Sequence, residues 1–297
     1  MKNEKKNTKN PLVSVVMPVY NAGSFLVEAI ESILSQTYKN FEFIIVDDCS
    51  TDNSWSILRN YAKKDSRIRL FRNTKNLGVS ETAQKAIAKA RGEFLARMDA
   101  DDIASPSRLE TQLNYLLAHP ETVAVGGQCL VIDKDGQVIG EKKFPLSFEE
   151  IYSYIFKFIP VQQPTLMIAK GRLPKDFKFY RDGMNTAEEV ELFFKLFQYG
   201  KVENLPEFVL KYRLHNNNTS LKNLKKTYLL TFYSRIGAVF QYGYRPSWDG
   251  LITTLLEAIL VLLLPKQWTL ALYKKVRNLQ ENKVLSLQTL PAFEFAT

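Results

Sequence analysis

The sequence predicts an α/β fold with a parallel central sheet, and three observations predict it. Short β-branched runs alternate with segments of helical apolar spacing through the first third of the chain. Strands separated by helices share one sheet through right-handed crossovers, which makes the strands parallel. The strand runs also stop at polar residues, Tyr20, Asp48 and the acids from Asp99 to Asp102. The carboxyl ends of parallel strands are where such sheets bind ligands.

The opening run Val13-Ser14-Val15-Val16-Met17-Pro18-Val19-Tyr20 is a strand by its β-branched content. Residues 24–36 follow as a helix, with Leu26, Ile30, Ile33 and Leu34 at helical spacing. A second strand covers 41–46 and ends in Asp47-Asp48, a helix covers 54–64, and a third strand covers 68–71. Residues 79–90 form a helix closed by Gly92, and residues 94–98 form a fourth strand. Ser105-Pro106 reads as the N-cap and first position of the next helix. Residues 123–132 and 137–144 flank Asp135-Gly136 as a hairpin. A helix rich in aromatics is expected over 149–158, a strand over 165–168, and an acidic-then-apolar helix over 187–199, closed by Gly200. A last strand covers 208–214 and a loop 216–218. From Ser220 onward only helices are expected, broken near 242–246 and at Pro265, and no clear period remains after Asn282. No internal repeat is present.

The chain has 297 residues, 45% of them hydrophobic, which supports a real core. Its two cysteines are too few for a disulfide framework, so a reducing, cytoplasmic compartment is expected. Residues 1–10 read as a disordered basic tail, and no signal peptide follows. No segment reaches the roughly 20 apolar residues of a membrane span; residues 251–264 come nearest and carry Glu257. The net charge of +9 is concentrated late, in residues such as Lys225, Lys226, Lys266, Lys274, Lys275 and Arg277. Such charge can meet nucleic acid, an anionic membrane or an anionic substrate. Its neighbourhood of very apolar helices favours a membrane surface over nucleic acid, with an ordinary solvated face as the competing reading.

Arg97-Met98-Asp99-Ala100-Asp101-Asp102 places three carboxylates within four residues at a strand end. Like charges so close repel unless a cation or hydrogen-bond donors sit among them. Hard oxygen ligands suit Mg²⁺ or Mn²⁺, which commonly share their shell with substrate phosphates. An acidic turn leading a helix is the competing reading, and it suits Asp102 best. Neither a Gly-x-Gly-x-x-Gly fingerprint nor a Walker loop follows the first strand, which argues against dinucleotide oxidoreductases and P-loop NTPases. A nucleotide can still bind by stacking and a carboxylate. Tyr20 can offer a ring face to a base, and Asp48 can accept from a ring N–H such as that of uracil or thymine. Asp99 can reach a ribose hydroxyl, and Asp101 can hold a metal on the diphosphate.

The motifs Val13 to Asn21, Ser32-Ile33-Leu34-Ser35-Gln36-Thr37-Tyr38, Val46-Asp47-Asp48-Cys49-Ser50-Thr51-Asp52 and Met98-Asp99-Ala100-Asp101-Asp102 together resemble family 2 glycosyltransferases of the GT-A fold, of the bacterial surface-polysaccharide type. Order and spacing match over roughly the first two-thirds of the chain. The resemblance implies inverting transfer of one sugar from a nucleotide-diphosphate donor, assisted by Mn²⁺ or Mg²⁺. It places Pro18, Val19, Tyr20, Asp48, Asp99 and Ala100 at the nucleotide and Asp101 on the metal. It places the general base in the acidic pair Glu188-Glu189, where relatives usually carry Asp at the second position. Either carboxylate can take a proton from an acceptor hydroxyl; the longer Glu189 alters the reach. Acids also favour the first turn of any helix through its dipole. His215 lies where relatives often have a His that reaches the metal or diphosphate, a structural histidine being the other reading. Arg213 is expected to pair either with the diphosphate or with nearby acids. Many relatives carry Asn where this chain has Gln84.

By this reading residues 11–219 are the catalytic domain, divided into a nucleotide half (11–104) and an acceptor half (105–219), and residues 220–297 are a helical extension. The apolar stretch 251–264 is flanked by Trp248, Trp268, Tyr273 and several lysines, which suits a bilayer interface at the inner face of the plasma membrane or a helix–helix or dimer contact. A glycan or lipid-linked acceptor is expected, with one sugar added, since a Gln-x-x-Arg-Trp motif is lacking. Rival readings are a sugar-nucleotide pyrophosphorylase, which wants a basic Gly-rich loop that Asn21-Ala22-Gly23-Ser24 does not supply, and a non-catalytic scaffold of the same fold.

Overall fold

The computed structural model describes residues 10–181, 187–215 and 224–265. The expected tail before Asn10, the loop at 216–218, the helix start at Ser220 and everything after Pro265 lie outside the described residues.

The first half follows the expected alternation: β1 (Val13–Val19), α1 (Leu26–Leu34), β2 (Phe41–Asp47), α2 (Ser54–Lys64), β3 (Ile68–Arg72), α3 (Val79–Ala88) and β4 (Phe94–Arg97). These four strands are mutually parallel, in the order β3-β2-β1-β4. Successive strand residues point to opposite faces, and each face is covered. Val13, Val15, Met17, Phe43 and Ile45 pack with Leu26, Ile30 and Ile33 of α1 and Leu58 of α2. Val16, Ile44 and Val46 pack with Ala83 and Ile87 of α3 on the other side. Burial on both faces is why these strands read as continuous apolar runs rather than as alternating ones.

The second half comprises β5 (Ile103–Ala104), α4 (Arg108–Ala118), β6 (Thr122–Ile132), β7 (Val138–Lys142), α5 (Phe148–Tyr154), β8 (Met167–Ile168), α6 (Glu188–Leu196), β9 (Lys201–Arg213), α7 (Leu224–Gln241) and α8 (Trp248–Leu263). It makes the sheet mixed rather than wholly parallel. β8 inserts antiparallel between β4 and β6, β6 pairs parallel with β9, and β5 pairs antiparallel with β9. The hairpin expected around Asp135-Gly136 forms as β6–β7, with Gly136 at φ 85° in the turn.

Two expectations are corrected. Ser105-Pro106 does not open α4: the Ser105 N–H still donates to Val209 O at 3.0 Å, so sheet pairing runs past β5 and the helix starts only at Arg108. The last strand begins at Lys201 rather than 208, because residues 205–207 bulge between the Gly126–Asn204 and Gln128–Phe208 pairs. Pro206 sits in that bulge, where no ladder N–H is required.

Buried polar side chains lock the elements together. Gln36 donates to Ser32 O and Ser105 O and accepts from the Leu109 N–H, which ties the end of α1 to the start of α4. Glu42 accepts from Ser14 Oγ at 2.7 Å, the Arg91 N–H at 2.7 Å and Arg69 Nη1 at 2.6 Å. Burial alone would raise this carboxyl, but those donors outweigh it and hold Glu42 below its usual value.

Candidate active site

The order β3-β2-β1-β4 places a topological switch point between β1 and β4, where chain connections leave in opposite directions. The carboxyl ends of β2, β1 and β4 therefore stand in one row, bearing Asp48, Tyr20 and Asp99 in turn. Tyr20 is 51% exposed and presents its ring to solvent. Pro18 is half-buried. Val19 and Ala100 are buried, so only their backbone can face a ligand; Val19 O accepts the Asp48 N–H at 2.7 Å.

Asp48 is held by the segment after β3. Its Oδ1 accepts from Asn73 Nδ2 at 2.8 Å and the Leu77 N–H at 2.9 Å, and its Oδ2 accepts from the Gly78 N–H at 2.8 Å. Two carboxylate oxygens offer about four acceptor positions, so Oδ2 keeps capacity for a ring N–H. Asn73 is itself fixed by Lys85 Nζ at 3.0 Å and Thr82 Oγ1 at 3.0 Å. The neighbouring Asp47 points inward and takes Arg72 Nε at 2.9 Å.

The acid cluster after β4 is divided by the fold. Asp99 pairs with Arg97 Nη2 at 2.8 Å. Asp101 Oδ2 lies 2.8 Å from His215 Nε2, so the two expected metal residues meet although β4 and β9 are not adjacent strands. Asp102 is buried and accepts the Arg213 N–H at 2.9 Å, which makes it a structural tie to the end of β9. Its Oδ2 is buried without a hydrogen-bond partner. Burial raises the carboxyls of Asp99 and Asp102, and the Asp101 charge adds to both. A surplus of carboxylate at this edge, with an Asp–His pair open to the crevice, fits a divalent cation that takes its remaining ligands from a diphosphate. Among the described residues no three His, Cys, Asp or Glu converge to hold such an ion by themselves.

Arg213 departs from its expected diphosphate role. Its side chain is 1% exposed. Nε donates to Asp101 O at 2.9 Å, Nη1 to Asp133 O at 3.3 Å and Lys134 O at 3.2 Å, and Nη2 to the Glu28 carboxylate. Backbone carbonyls and an acid of α1 occupy the fork instead of a phosphate.

The acidic pair opens α6. Glu188 is buried and Glu189 is half-exposed. Burial, reinforced by the adjacent Glu189 charge, pushes Glu188 up to about 8, so it holds a proton at neutral pH. Ala187 precedes the pair at φ 58°. Among the described residues the other non-glycine positions with left-handed backbone are Asn21 at φ 50° and Cys49 at φ 61°, which follow Tyr20 and Asp48. Each such position costs on the order of 1–3 kcal/mol. All three adjoin a residue of the crevice.

Two contributors, Arg97 and Asn73, were not legible in the sequence, and Gln84 stands out there only for its departure from the family. Arg97 is 4% exposed beneath the cluster. Burial disfavours its cation, yet Asp99, Tyr180, Glu188 and Asp101 together hold its pKa above the ordinary value, so it is the positive charge common to the acid cluster and the start of α6. Asn73 orients Asp48. Gln84 accepts the Tyr180 N–H at 3.3 Å and so braces the segment that leads toward α6. An arginine opening the acid run was the available signal for Arg97; Asn73 acts through partners remote in sequence.

Residues 14–173 match glycosyl transferase family 2. An uncharacterized glycosyltransferase of Methanocaldococcus jannaschii is 36% identical over 75% of this chain and 78% of its own length. The O-antigen biosynthesis glycosyltransferase WbnJ of Escherichia coli is 32% identical over 70% of this chain and 82% of its own. Among solved structures, the mannosyltransferase PcManGT of Pyrobaculum calidifontis, in complex with GDP-Man and Mn²⁺, superposes with a TM-score of 0.62 at 18% identity, over 90% of this chain and 74% of that one. S. aureus TarS in complex with UDP-GlcNAc gives 0.57 at 19% identity, over 75% and 66%. The fold is GT-A, and a chain that matches over more than half its length and keeps relatives of this identity belongs to glycosyl transferase family 2, and is a glycosyltransferase.

Proposed function

We propose that the protein is a metal-assisted, inverting glycosyltransferase that moves one sugar from a UDP- or dTDP-linked donor to a hydroxyl of a glycan or lipid-linked saccharide, in surface-polysaccharide synthesis. The observation that carries this reading is the meeting of the Asp101–His215 pair, 2.8 Å apart, with the row of strand ends bearing Tyr20 and Asp48. Tyr20 stacks on the base, Asp48 Oδ2 accepts its ring N–H, and Asp99, steadied by Arg97, takes a ribose hydroxyl. Asp101 and His215 would hold Mn²⁺ or Mg²⁺, which when bound neutralises charge on the leaving diphosphate. Glu189 removes the proton from the acceptor hydroxyl as that oxygen attacks the anomeric carbon from the face opposite the diphosphate. Glu188, protonated and buried, adds no second negative charge beside Glu189 at neutral pH.

In this division residues 11–104 serve the nucleotide, 105–219 serve the acceptor, and 220–297 form an extension that meets an anionic membrane. The build of α8 supports the last point. Its inward face is mixed: Thr254 and Val261 are buried, Leu251 packs on the core, and Glu257 pairs with the buried Arg235 at 3.0 Å. Its outward face is apolar, with Trp248, Ile252, Leu256, Ile259 and Leu263 exposed. A helix that shows so large an apolar face to solvent wants a nonpolar partner. No described helix is long and apolar enough to cross a membrane, so the contact is interfacial. Flotation with anionic vesicles should carry the protein at low salt, and Ile259→Glu should release it; no flotation, or release of a dimer by that substitution, would remove the membrane contact.

The reaction is tested with a panel of nucleotide sugars, with and without Mn²⁺. Sugar transfer that Asp101→Ala and Glu189→Gln each abolish in folded protein is expected. Full activity of Glu189→Gln at saturating donor would take Glu189 out of the base role, and release of pyrophosphate from a sugar phosphate and nucleoside triphosphate would favour a pyrophosphorylase.

A further inference from the structure

We propose that Arg213 and Phe25 are positioning residues that set the geometry of the Asp101–His215 pair. The inference rests on the reading of that pair as the metal site. Asp101 sits in the turn between β4 and β5 and His215 in the segment after β9, and β5 pairs antiparallel with β9, with Ile103 opposite Lys211. That pairing brings the two segments side by side; the Asp101 turn and the His215 ring, which lie just outside it, are set by other contacts.

Arg213 braces the backbone of both. Its N–H is fixed by Asp102 Oδ1 at 2.9 Å, and its Nε grips Asp101 O at 2.9 Å. The Asp101 carbonyl and the chain two residues before His215 are thus joined through one side chain. The remaining arms of the guanidinium reach Asp133 O and Lys134 O in the β6–β7 turn and Glu28 in the first turn of α1. Four segments meet on one buried group, so the turn that carries Asp101 cannot shift without breaking charge-assisted hydrogen bonds.

Phe25 braces the imidazole. Its ring lies 4.9 Å from the His215 ring, tilted by 40°, and 4.7 Å from the Arg213 guanidinium carbon. Phe25 immediately precedes α1, so its position is set by the helix and by its N–H bond to Ala22 O at 2.9 Å. With the phenyl ring on one side and Asp101 on Nε2, the His215 ring has its orientation fixed before any ion arrives. Residues that orient metal ligands in this way typically change affinity by about 10–100-fold when altered.

The test is Mn²⁺ affinity by electron paramagnetic resonance in the presence of UDP, with UDP affinity in the absence of metal and thermal stability measured alongside. Phe25→Leu and Arg213→Lys are each expected to weaken Mn²⁺ binding about tenfold, while metal-free UDP binding stays as in the parent. Phe25→Tyr, which keeps the ring, is expected to retain full affinity. Lysine cannot reproduce a planar fork; should Arg213→Lys unfold, Phe25→Leu decides alone, since it removes no buried charge. Asp101→Asn separates the two levels of the argument. If the parent protein binds no Mn²⁺, or Asp101→Asn binds it equally well, the metal reading fails and the inference falls with it. If Asp101→Asn loses Mn²⁺ while Phe25→Leu binds as the parent does, the metal reading stands and the positioning role is overturned.

Discussion

Glu188→Gln should make the protein more stable at alkaline pH and leave it unchanged in acid. Glu188 is 8% exposed at the start of α6, and burial together with the Glu189 charge raises its carboxyl from an ordinary 4.5 to about 8. Between those values the folded protein keeps a proton that the unfolded chain has released. Folding therefore becomes less favourable as pH rises through that window, and the loss levels off above it. A single carboxyl displaced that far accounts for at most roughly 5 kcal/mol. Because the pair with Glu189 shares its proton, and the site can relax, about 1–3 kcal/mol is the expected part. Glutamine carries no titrating proton and keeps the volume. At pH 9 the variant should thus melt higher by about 3–8 °C, and at pH 4.5 the two proteins should melt together. Thermal melts of both proteins across this range, without nucleotide or metal, measure the difference; every other titrating group is common to both and cancels to first order. An offset of the same size at both ends would refute the reasoning by showing that folding does not move the Glu188 proton, and a variant that melts lower at pH 9 would refute it by showing that Glu188 is ionised and stabilised in the folded protein.

Two further outcomes follow from the packing. A Cβ at Gly92 would stand 2.5 Å from Leu12 O and 2.8 Å from Ser14 N, both backbone atoms. Gly92→Ala should therefore cost about 1–3 kcal/mol in urea denaturation, through the junction where the Gly92 N–H meets Ser14 Oγ and Ser14 meets Glu42. Asn73→Ala removes the 2.8 Å bond to Asp48 and the anchor of Lys85; steady-state kinetics should show a donor KM raised roughly tenfold with kcat little changed, as for lost uniform binding of about 1–2 kcal/mol.

The strands of the first half were legible because each is short, continuous and buried on both faces, and because each ends in a polar residue that has no packing reason to be there. The sequence alone therefore aligns Tyr20, Asp48 and the acids after Arg97 along one edge of the sheet, as the parallel pairing does. The second half was harder to read for physical reasons. β5 has two residues and exists only through its pairing with β9. The first half of β9 is interrupted by a Pro206 bulge that erases its period. β8 is antiparallel, although the local pattern of its residues carries no sign of direction. Arg213 illustrates the limit most clearly: an arginine near a phosphate site invites a phosphate, but its acceptors, Glu28 of α1 and Asp133 and Lys134 of the β6–β7 turn, are brought to it from two segments remote in sequence.

The left-handed residues explain why the site sits where it does and not elsewhere along the sheet edge. A parallel strand that continues straight into a helix carries its last side chains past the edge and away from its neighbours. At Asn21 and Cys49 the backbone instead turns left-handed directly after Tyr20 and Asp48, which leaves Tyr20 exposed and Asp48 buried at the ends of their strands. The cost is offset locally: Asn21 Oδ1 accepts the Thr51 N–H at 2.8 Å, and the Asn21 N–H donates to Ser50 Oγ at 3.0 Å, so each strained turn is held by the other. Ala187, at φ 58°, likewise heads α6, where Glu188 is buried and Glu189 half-exposed. Glycine would adopt these angles without strain and would also let the turns wander. The chain places asparagine, cysteine and alanine there, and a backbone with fewer alternatives holds Tyr20, Asp48 and the Glu188-Glu189 pair, the groups the proposed function uses, in register.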